Sequence, residues 1–409
     1  VNWRTKLIKI GLIGKTNTGK TTFFNAATLL SAEVSTYPFT TKKPNVGIAY
    51  VQTICVCREF KVKDNPQNSK CIDGWRYIPI ELIDLPGLIK DAHLGRGLGD
   101  QFLDVAMKSD ALLHIIDASG SIDAEGRICE PGIGNPIADY YEVEHELMEW
   151  FKKVVKSNIS RIEREYAKSS SMVEALYQVF SGMKITKEMI YNSLEKTGLL
   201  EKKIGSWSEE DLNRFSIELR TISKPTLIVA NKMDLGISEE NYKKIVEEFG
   251  QHLVVPCSAE AELALRKAEQ QGLIKYIPGT ENFEILDESK LNPRQKWALN
   301  YIQHTVMNRL LRTGVQLSLN IAVFKLLKMN VVYPVEDPEK LTDKKGNILP
   351  DAFLLPQKAS LVDLAREIHS ELARGLLYGI DVRTGIRLPK DYILRDRDVI
   401  TLISTTKKK

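Results

Sequence analysis

A doubly wound α/β fold, with a helical insertion and a small C-terminal α+β module, is predicted by three observations. Apolar runs at residues 7–14, 78–83, 111–116 and 226–230 each end in a polar cluster, as central strands of a parallel sheet do where their carboxyl ends carry a ligand. The first run passes through a Gly/Thr/Asn turn into a helical pattern over 19–30, and helical periodicity lies between the later runs. From Met329 the pattern changes, with Val331-Val332-Tyr333-Pro334-Val335 as a strand and a Pro/Asp/Lys/Gly loop behind it.

Each element follows in order. Between residues 116 and 226 the chain is far longer than one crossover requires. There Val143, Leu147, Phe151 and Val154, then Met172, Leu176 and Phe180, then Ile190 and Leu194, recur at helical spacing and predict a helical insertion. Residues 151–204 hold eleven Lys/Arg against six Glu, so this insertion is either a solvated helical hairpin or an RNA-facing arm. In the last module, Ser360-Leu-Val-Asp363 has the form of a helix capping box, the helix is expected to end near Gly375, and 376–380 and 399–404 supply strands. The expected organisation is 1–139 with 223–328 as a nucleotide-binding domain, 140–222 as the insertion and 329–405 as the last module.

Composition narrows the classes. A chain of 409 residues, 43% hydrophobic and 27% charged, needs two or three packed domains and is too apolar to be disordered. Fifty-seven basic against 53 acidic residues exclude a polycationic binder and leave only regional contacts with nucleic acid. No apolar run approaches the ~20 residues of a membrane-spanning helix, and no signal-peptide pattern is visible, so a cytoplasmic chain without membrane contact is expected; a monomer is expected as well. Five cysteines are sparse and odd in number; Cys55-Val56-Cys57 reads as strand spacing with both thiols on one face, no zinc or thioredoxin pattern, and reduced structural thiols are expected.

Gly14-Lys15-Thr16-Asn17-Thr18-Gly19-Lys20-Thr21 is a phosphate-loop pattern set between strand and helix. Gly14 and Gly19 allow backbone N–H groups, Thr18 included, to approach phosphate oxygens, and the helix N-terminus adds partial positive charge. Lys20 is placed to neutralise β/γ-phosphates and Thr21 to ligate Mg²⁺. The base is read elsewhere. Asn231-Lys232-Met233-Asp234 follows the 226–230 run, and an Asp carboxylate accepts from the N1–H and exocyclic amine of guanine, a donor pair that adenine lacks. Ser258 and Ala259, after a further apolar run at 253–255, are placed where backbone meets guanine O6. Asp84 in Asp84-Leu85-Pro86-Gly87 is expected to hold the Mg²⁺ shell through water, and Gly87 to offer its N–H to the γ-phosphate. Between the first helix and the next strand, Tyr37-Pro38-Phe39-Thr40-Thr41 carries a hydroxyl that can close the Mg²⁺ site, with Thr41 the better placed.

The segments Asn17-Thr-Gly-Lys-Thr-Thr22, Tyr37-Pro-Phe-Thr-Thr41, Pro44-Asn45-Val46-Gly47, Asp84-Leu-Pro-Gly-Leu88 and Gly95-Arg-Gly-Leu-Gly99 together resemble the Obg superfamily of translation-factor GTPases, especially its YchF branch. The resemblance extends over nearly the whole chain. It implies that Thr22 joins the nucleotide-binding set and that Thr41, twenty residues beyond Thr21, is an Mg²⁺ ligand. It also implies that 329–405 is a TGS domain, a ubiquitin-like β-grasp module tied to RNA and ribosome binding. GTP and GDP are then the ligands, with the ribosome or ribosomal RNA as partner through the TGS domain and the insertion. In YchF proteins and the related Obg-like ATPase the guanine motif is degraded, whereas this chain keeps Lys232 and Asp234 and so looks like the archaeal-type YchF-related GTPases.

Three readings remain: an Mg²⁺-dependent GTPase switch, a regulatory RNA-binding scaffold with negligible turnover, and an Obg-like ATPase. Leu88 occupies the position where Ras-like enzymes place a water-orienting glutamine, so hydrolysis needs a substitute. Asn17 is the residue type that helps hold K⁺ in similar cation-stimulated GTPases, and His93 matches a YchF-family histidine with a suspected catalytic role; Lys20, Thr41, Gly87, Asn17 and His93 form the candidate catalytic set. Asp234→Asn is expected to weaken GTP binding by roughly 2–4 kcal/mol and to abolish preference for guanine, because an amide donor would face guanine donors. Unchanged GTP affinity, measured by fluorescent-nucleotide titration, would refute this assignment.

Overall fold

The computed structural model describes residues 7–28, 34–36, 44–87 and 99–405. In chain order these begin with β1 (Lys9–Ile13), α1 (Lys20–Thr28), β2 (Val34–Thr36), β3 (Asn45–Ile54), the one-turn α2 (Cys57–Phe60), β4 (Lys70–Ile72) and β5 (Trp75–Asp84). Next come α3 (Gly99–Met107), β6 (Ala111–Asp117), then α4 (Pro136–Ser157), α5 (Ile159–Ser169), α6 (Met172–Phe180), α7 (Lys187–Thr197) and α8 (Glu209–Ser223). The chain returns through β7 (Thr226–Asn231), α9 (Ser238–Phe249), β8 (Val254–Pro256), α10 (Ala259–Gln270), β9 (Ile274–Tyr276), β10 (Phe283–Ile285), α11 (Pro293–Ile302), the short α12 (Asn308–Leu310) and α13 (Val315–Asn320). It finishes with β11 (Met329–Pro334), β12 (Phe353–Pro356), α14 (Leu361–Ile368), α15 (Ser370–Gly375), β13 (Leu376–Asp381), β14 (Arg387–Leu388) and β15 (Val399–Ser404).

Two compact units result, one comprising 9–47 and 82–318, the other 1–8, 48–81 and 319–409. In the first, β1, β6, β7 and β8 are parallel neighbours, with Ile10 opposite Ala111, Leu112 opposite Thr226 and Ile228 opposite Val254. These four run side by side in the order β1-β6-β7-β8, as in a doubly wound core, but β2 pairs antiparallel with residues 45–47 of β3, so the strand pairing is mixed rather than wholly parallel. Leu12, Leu113, Ile115 and Val229 are wholly buried, as strands covered on both faces require. Hence the motifs, which follow these strands, all collect at one edge of the sheet.

The insertion does not stand apart as a solvated hairpin. Val143, Leu147, Phe151, Leu176, Phe180, Ile190 and Leu194 share one apolar core with Ile13, Ile83, Leu103 and Leu112 around the sheet. The buried ammonium of Lys224 donates to Ser109 O at 2.9 Å and to Met183 O at 2.8 Å, which pins the insertion where it rejoins β7. Its basic surplus is neutralised by folding. Lys152 pairs with Glu149, Lys156 with Glu209, Lys184 with Asp110, Lys196 with Glu218 and Lys202 with Asp211, all acids outside 151–204, while Lys168 and Lys187 pair with Glu165 and Glu174.

The second unit contains a five-stranded sheet of order β12-β11-β15-β13-β14, with β11 parallel to β15 and the other pairs antiparallel. A Cβ on Gly379 of β13 would come within 2.7 Å of Leu361, so glycine lets α14 lie against the sheet as in a β-grasp. Ser360 and Asp363 do form a reciprocal capping box. The helix expected to reach Gly375 instead breaks at His369, which is extended and whose Nδ1 caps α15 by accepting from Glu371 N at 3.2 Å. The cysteine reading also fails locally: β3 ends at Ile54, and Cys57 opens α2, so Cys55 and Cys57 do not share a strand face.

Since the insertion and the sheet share one core, Phe180→Ala is expected to destabilise the first unit by roughly 3–5 kcal/mol. Chemical denaturation followed by far-ultraviolet dichroism and by release of bound fluorescent nucleotide should give one shared, lowered midpoint. An insertion that melts separately while nucleotide stays bound would contradict the shared core.

Candidate nucleotide site

The site is built where β1, β5, β6, β7 and β8 end. Gly14 follows β1 with φ +142°, and a Cβ there would lie 2.3 Å from Ile115 O, so only glycine lets the loop leave the sheet beside β6. Gly19 has φ +96°, and its missing Cβ gives room to the Asn231 side chain, which would stand 2.3 Å from it. The loop is drawn tight by Thr18 Oγ1 donating to Lys15 O at 3.1 Å and by Lys20 Nζ donating to the same carbonyl at 2.5 Å. Burial pushes the Lys20 ammonium down to about 8, only partly opposed by the Asp84 charge. Thr22 lies beside Thr21 in the first turn of α1.

Asp84 ends β5 and is nearly buried. Its Oδ2 accepts from Thr21 Oγ1 at 2.8 Å and from Asn45 Nδ2 at 3.3 Å. Its Oδ1 is buried with no hydrogen-bond partner among the described residues, and burial pushes the carboxyl above the ordinary aspartate range. An orphaned carboxylate oxygen beside a threonine hydroxyl is a donor set suited to a hard cation such as Mg²⁺. Gly87 lies against the phosphate loop, since a Cβ on it would meet Thr16 N at 2.7 Å.

The base side is equally ordered. Asn231 Nδ2 donates to Thr18 O at 2.9 Å while its Oδ1 accepts from Ala259 N at 3.0 Å. Lys232 has φ +65°, and its Nζ donates to Asp117 Oδ2 at 2.9 Å and Ser121 Oγ at 3.0 Å. Asp234 Oδ1 accepts from Ser258 Oγ at 2.7 Å, and Tyr301 OH donates to the Asp234 carbonyl at 2.8 Å. Gly14, Asn17, Thr18, Gly19, Lys20, Thr21, Thr22, Asp84, Gly87, Asn231, Lys232, Asp234, Ser258 and Ala259 therefore lie at one sheet edge, whereas Thr41 and His93 fall outside the described residues.

Several contributors were not anticipated. Asp117, the last residue of β6, accepts from the N–H and hydroxyl of Ser119 and of Ser121, at 2.5–3.0 Å, besides Lys232. An acid closing an apolar strand, with Ser-x-Ser beginning two residues later, was the available signal. The following loop reaches the phosphate loop: Gly126 O accepts from Asn17 Nδ2 at 2.9 Å and from Thr16 Oγ1 at 3.3 Å. Lys15 pairs with Asp139 at 2.7 Å and Glu142 at 3.0 Å, both on α4.

Raising the pH through about 8 should deprotonate Lys20 in the empty protein. Phosphates favour the ammonium, so affinity is full below that value and is lost above it, by up to tenfold per pH unit. Calorimetry of GDP binding near pH 8 in buffers of differing ionisation enthalpy should show proton uptake, and Lys20→Met should abolish it; no uptake in the native chain would refute the depressed ammonium.

Three family models match in sequence: a 50S ribosome-binding GTPase domain over 9–162, the G4 motif-containing domain of the Obg-like GTPase YGR210-like group over 229–337, and a TGS domain over 342–404. A GTP-binding protein of Methanocaldococcus jannaschii is 43% identical over 398 residues, which span 97% of this chain and 99% of that one. The crystal structure of a GTP-binding protein from Pyrococcus horikoshii superposes with a TM-score of 0.77 at 32% identity, covering 97% of this chain and 100% of that one. A ribosome-binding ATPase YchF of Mycoplasma pneumoniae is 24% identical across 91% of this chain and 88% of its own. With the phosphate loop, an intact guanine-side cluster and a C-terminal TGS domain in one chain, this protein belongs to the Obg-like, YchF-related family of P-loop GTPases.

Proposed function

We propose that this protein is an Mg²⁺-dependent GTPase switch that acts on the ribosome or ribosomal RNA. The observation that carries the guanine assignment is the Asp234 carboxylate, oriented by Ser258 at 2.7 Å and joined through Asn231 to the phosphate loop. In this reading Asp234 accepts the guanine N1–H and exocyclic amine, and Lys20 and the Thr18–Lys20 backbone hold the phosphates. Thr21 and Asp84, with Thr41 from the family resemblance, would hold Mg²⁺; the bound ion supplies positive charge against the β/γ oxygens. Gly87 would donate its N–H to the terminal phosphate, so this contact distinguishes the GTP-bound from the GDP-bound protein.

The hydrolytic step lacks a glutamine after Gly87, and Asn17, His93 and a monovalent cation are our candidates for the substitute. Asn17 is exposed and its Nδ2 donates to the Gly126 carbonyl, and its Oδ1 is the oxygen we assign to K⁺. Ribosome engagement is assigned chiefly to the TGS domain and is supported by the name of the Mycoplasma relative. The lysines of the insertion are held by carboxylates, so an RNA there would have to compete for them.

Single-turnover GTP hydrolysis is expected to rise when K⁺ replaces Na⁺ and to lose that response in Asn17→Ala, with His93→Ala lowering turnover more than affinity. Equal rates in both salts would remove the cation, and negligible turnover throughout would favour a GTP-holding scaffold. Sedimentation with ribosomal subunits should show retention with a GTP analogue and release with GDP; nucleotide-independent retention would refute the switch, and ATP binding as tight as GTP would refute guanine selection.

A further inference from the structure

The second compact unit gathers Cys55, Cys57, Asp64 and Cys71 at one point. One ligand atom from each lies within 4.8 Å of all the others. The Cys57 and Cys71 sulfurs are 3.8 Å apart, and Cys55 Sγ lies 3.2 Å from Asp64 Oδ2. A tetrahedral ion with Zn–S arms of about 2.3 Å needs ligand atoms separated by roughly 3.8 Å. Four groups at this spacing fit a mononuclear site and are too close to enclose an iron–sulfur cluster.

The backbone holds them there. Cys55 N donates to Gly74 O at 2.9 Å, Val62 N turns back on Cys57 O at 3.1 Å, and Cys71 stands opposite Arg76 across the β4–β5 hairpin. That hairpin turns through Asp73 (φ +49°) and Gly74 (φ +74°), the left-handed pair that a two-residue turn demands. The Asp64 segment is anchored by Asn65 N to Ile348 O at 2.8 Å and by Gln67 N to Pro350 O at 2.7 Å.

A second layer surrounds the four groups. The Arg76 guanidinium, wholly buried, pairs with Asp64 Oδ2 at 3.2 Å, donates to Ser69 Oγ and Leu349 O at 2.9 Å each, and lies over the Tyr333 ring at 5.2 Å. Three thiolates and a carboxylate around Zn²⁺ carry two net negative charges, and a buried arginine offsets one of them.

We propose that Cys55, Cys57, Asp64 and Cys71 bind one Zn²⁺ ion in a tetrahedral S₃O site that clamps the 55–76 segment. Binding releases the three thiol protons to solvent and leaves no open position, so the role is structural. The half-exposed Cys71 gives the ion its way in. A Cys57–Cys71 disulfide is the competing outcome.

The test uses the full chain. After dialysis against a weak chelator, elemental analysis should find one equivalent of zinc. Cobalt substitution should give thiolate charge-transfer bands and the visible bands of a tetrahedral centre, both lost on adding zinc. Cys71→Ser and Asp64→Ala should each weaken zinc at least tenfold while GTP affinity is retained, which reports that the variants fold. A native chain that takes up neither zinc nor cobalt under reducing conditions, a Cys57–Cys71 disulfide found by mass spectrometry of the chain prepared without added reductant, or undiminished zinc affinity in either variant would overturn the proposal.

Discussion

The nucleotide site depends on the Asn231 side chain. One amide joins the phosphate loop, through Thr18 O, to the amino end of α10, through Ala259 N. Both partners are buried backbone groups, so loss of the amide would leave a donor and an acceptor unsatisfied at about 1–3 kcal/mol each. The candidate phosphate loop and the candidate base-side residues are thereby held at a fixed separation. Gly19 is the companion requirement, because a side chain there would occupy the space of that amide.

Around this link, buried acids hold the remaining cations in place. Asp117 accepts four bonds from its own loop and one from Lys232, which keeps that lysine over the loop end of β6 despite the strain of a left-handed backbone. The loop after Asp117 is itself closely packed: a Cβ on Gly134 would stand 1.9 Å from Ile122 O. Its Gly126 carbonyl reaches the exposed crest of the phosphate loop at Asn17, so α4 and the loop before it belong to the site as much as the recognised motifs do.

Burial sets the electrostatics of the site. Burial lowers the Lys20 ammonium to about 8 and raises the Asp84 carboxyl, each away from its charged form. In the proposed reading, triphosphate and a divalent cation would reverse both penalties, phosphate favouring the ammonium and the cation favouring the carboxylate. Binding energy and ionisation are linked for that reason.

Local chemistry was legible in the order of residues. The phosphate loop, the Asp84 and Asp234 motifs, the capping box at Ser360 and the buried stripe through Phe151, Leu176 and Leu194 each depend on neighbours within one turn or strand, where spacing dictates which groups face the same way. The break at His369 escaped notice because its cap is made by a side chain outside the usual capping types. The acids that neutralise Lys156, Lys196 and Lys202 lie 9 to 53 residues away, and the groups that meet Cys55 come from beyond a turn, a loop and a hairpin. What the sequence determined alone was therefore the identity of the nucleotide motifs and the elements that carry them. Tertiary structure decided which charges remain free and which thiols meet, because those depend on distances between segments that chain spacing does not constrain.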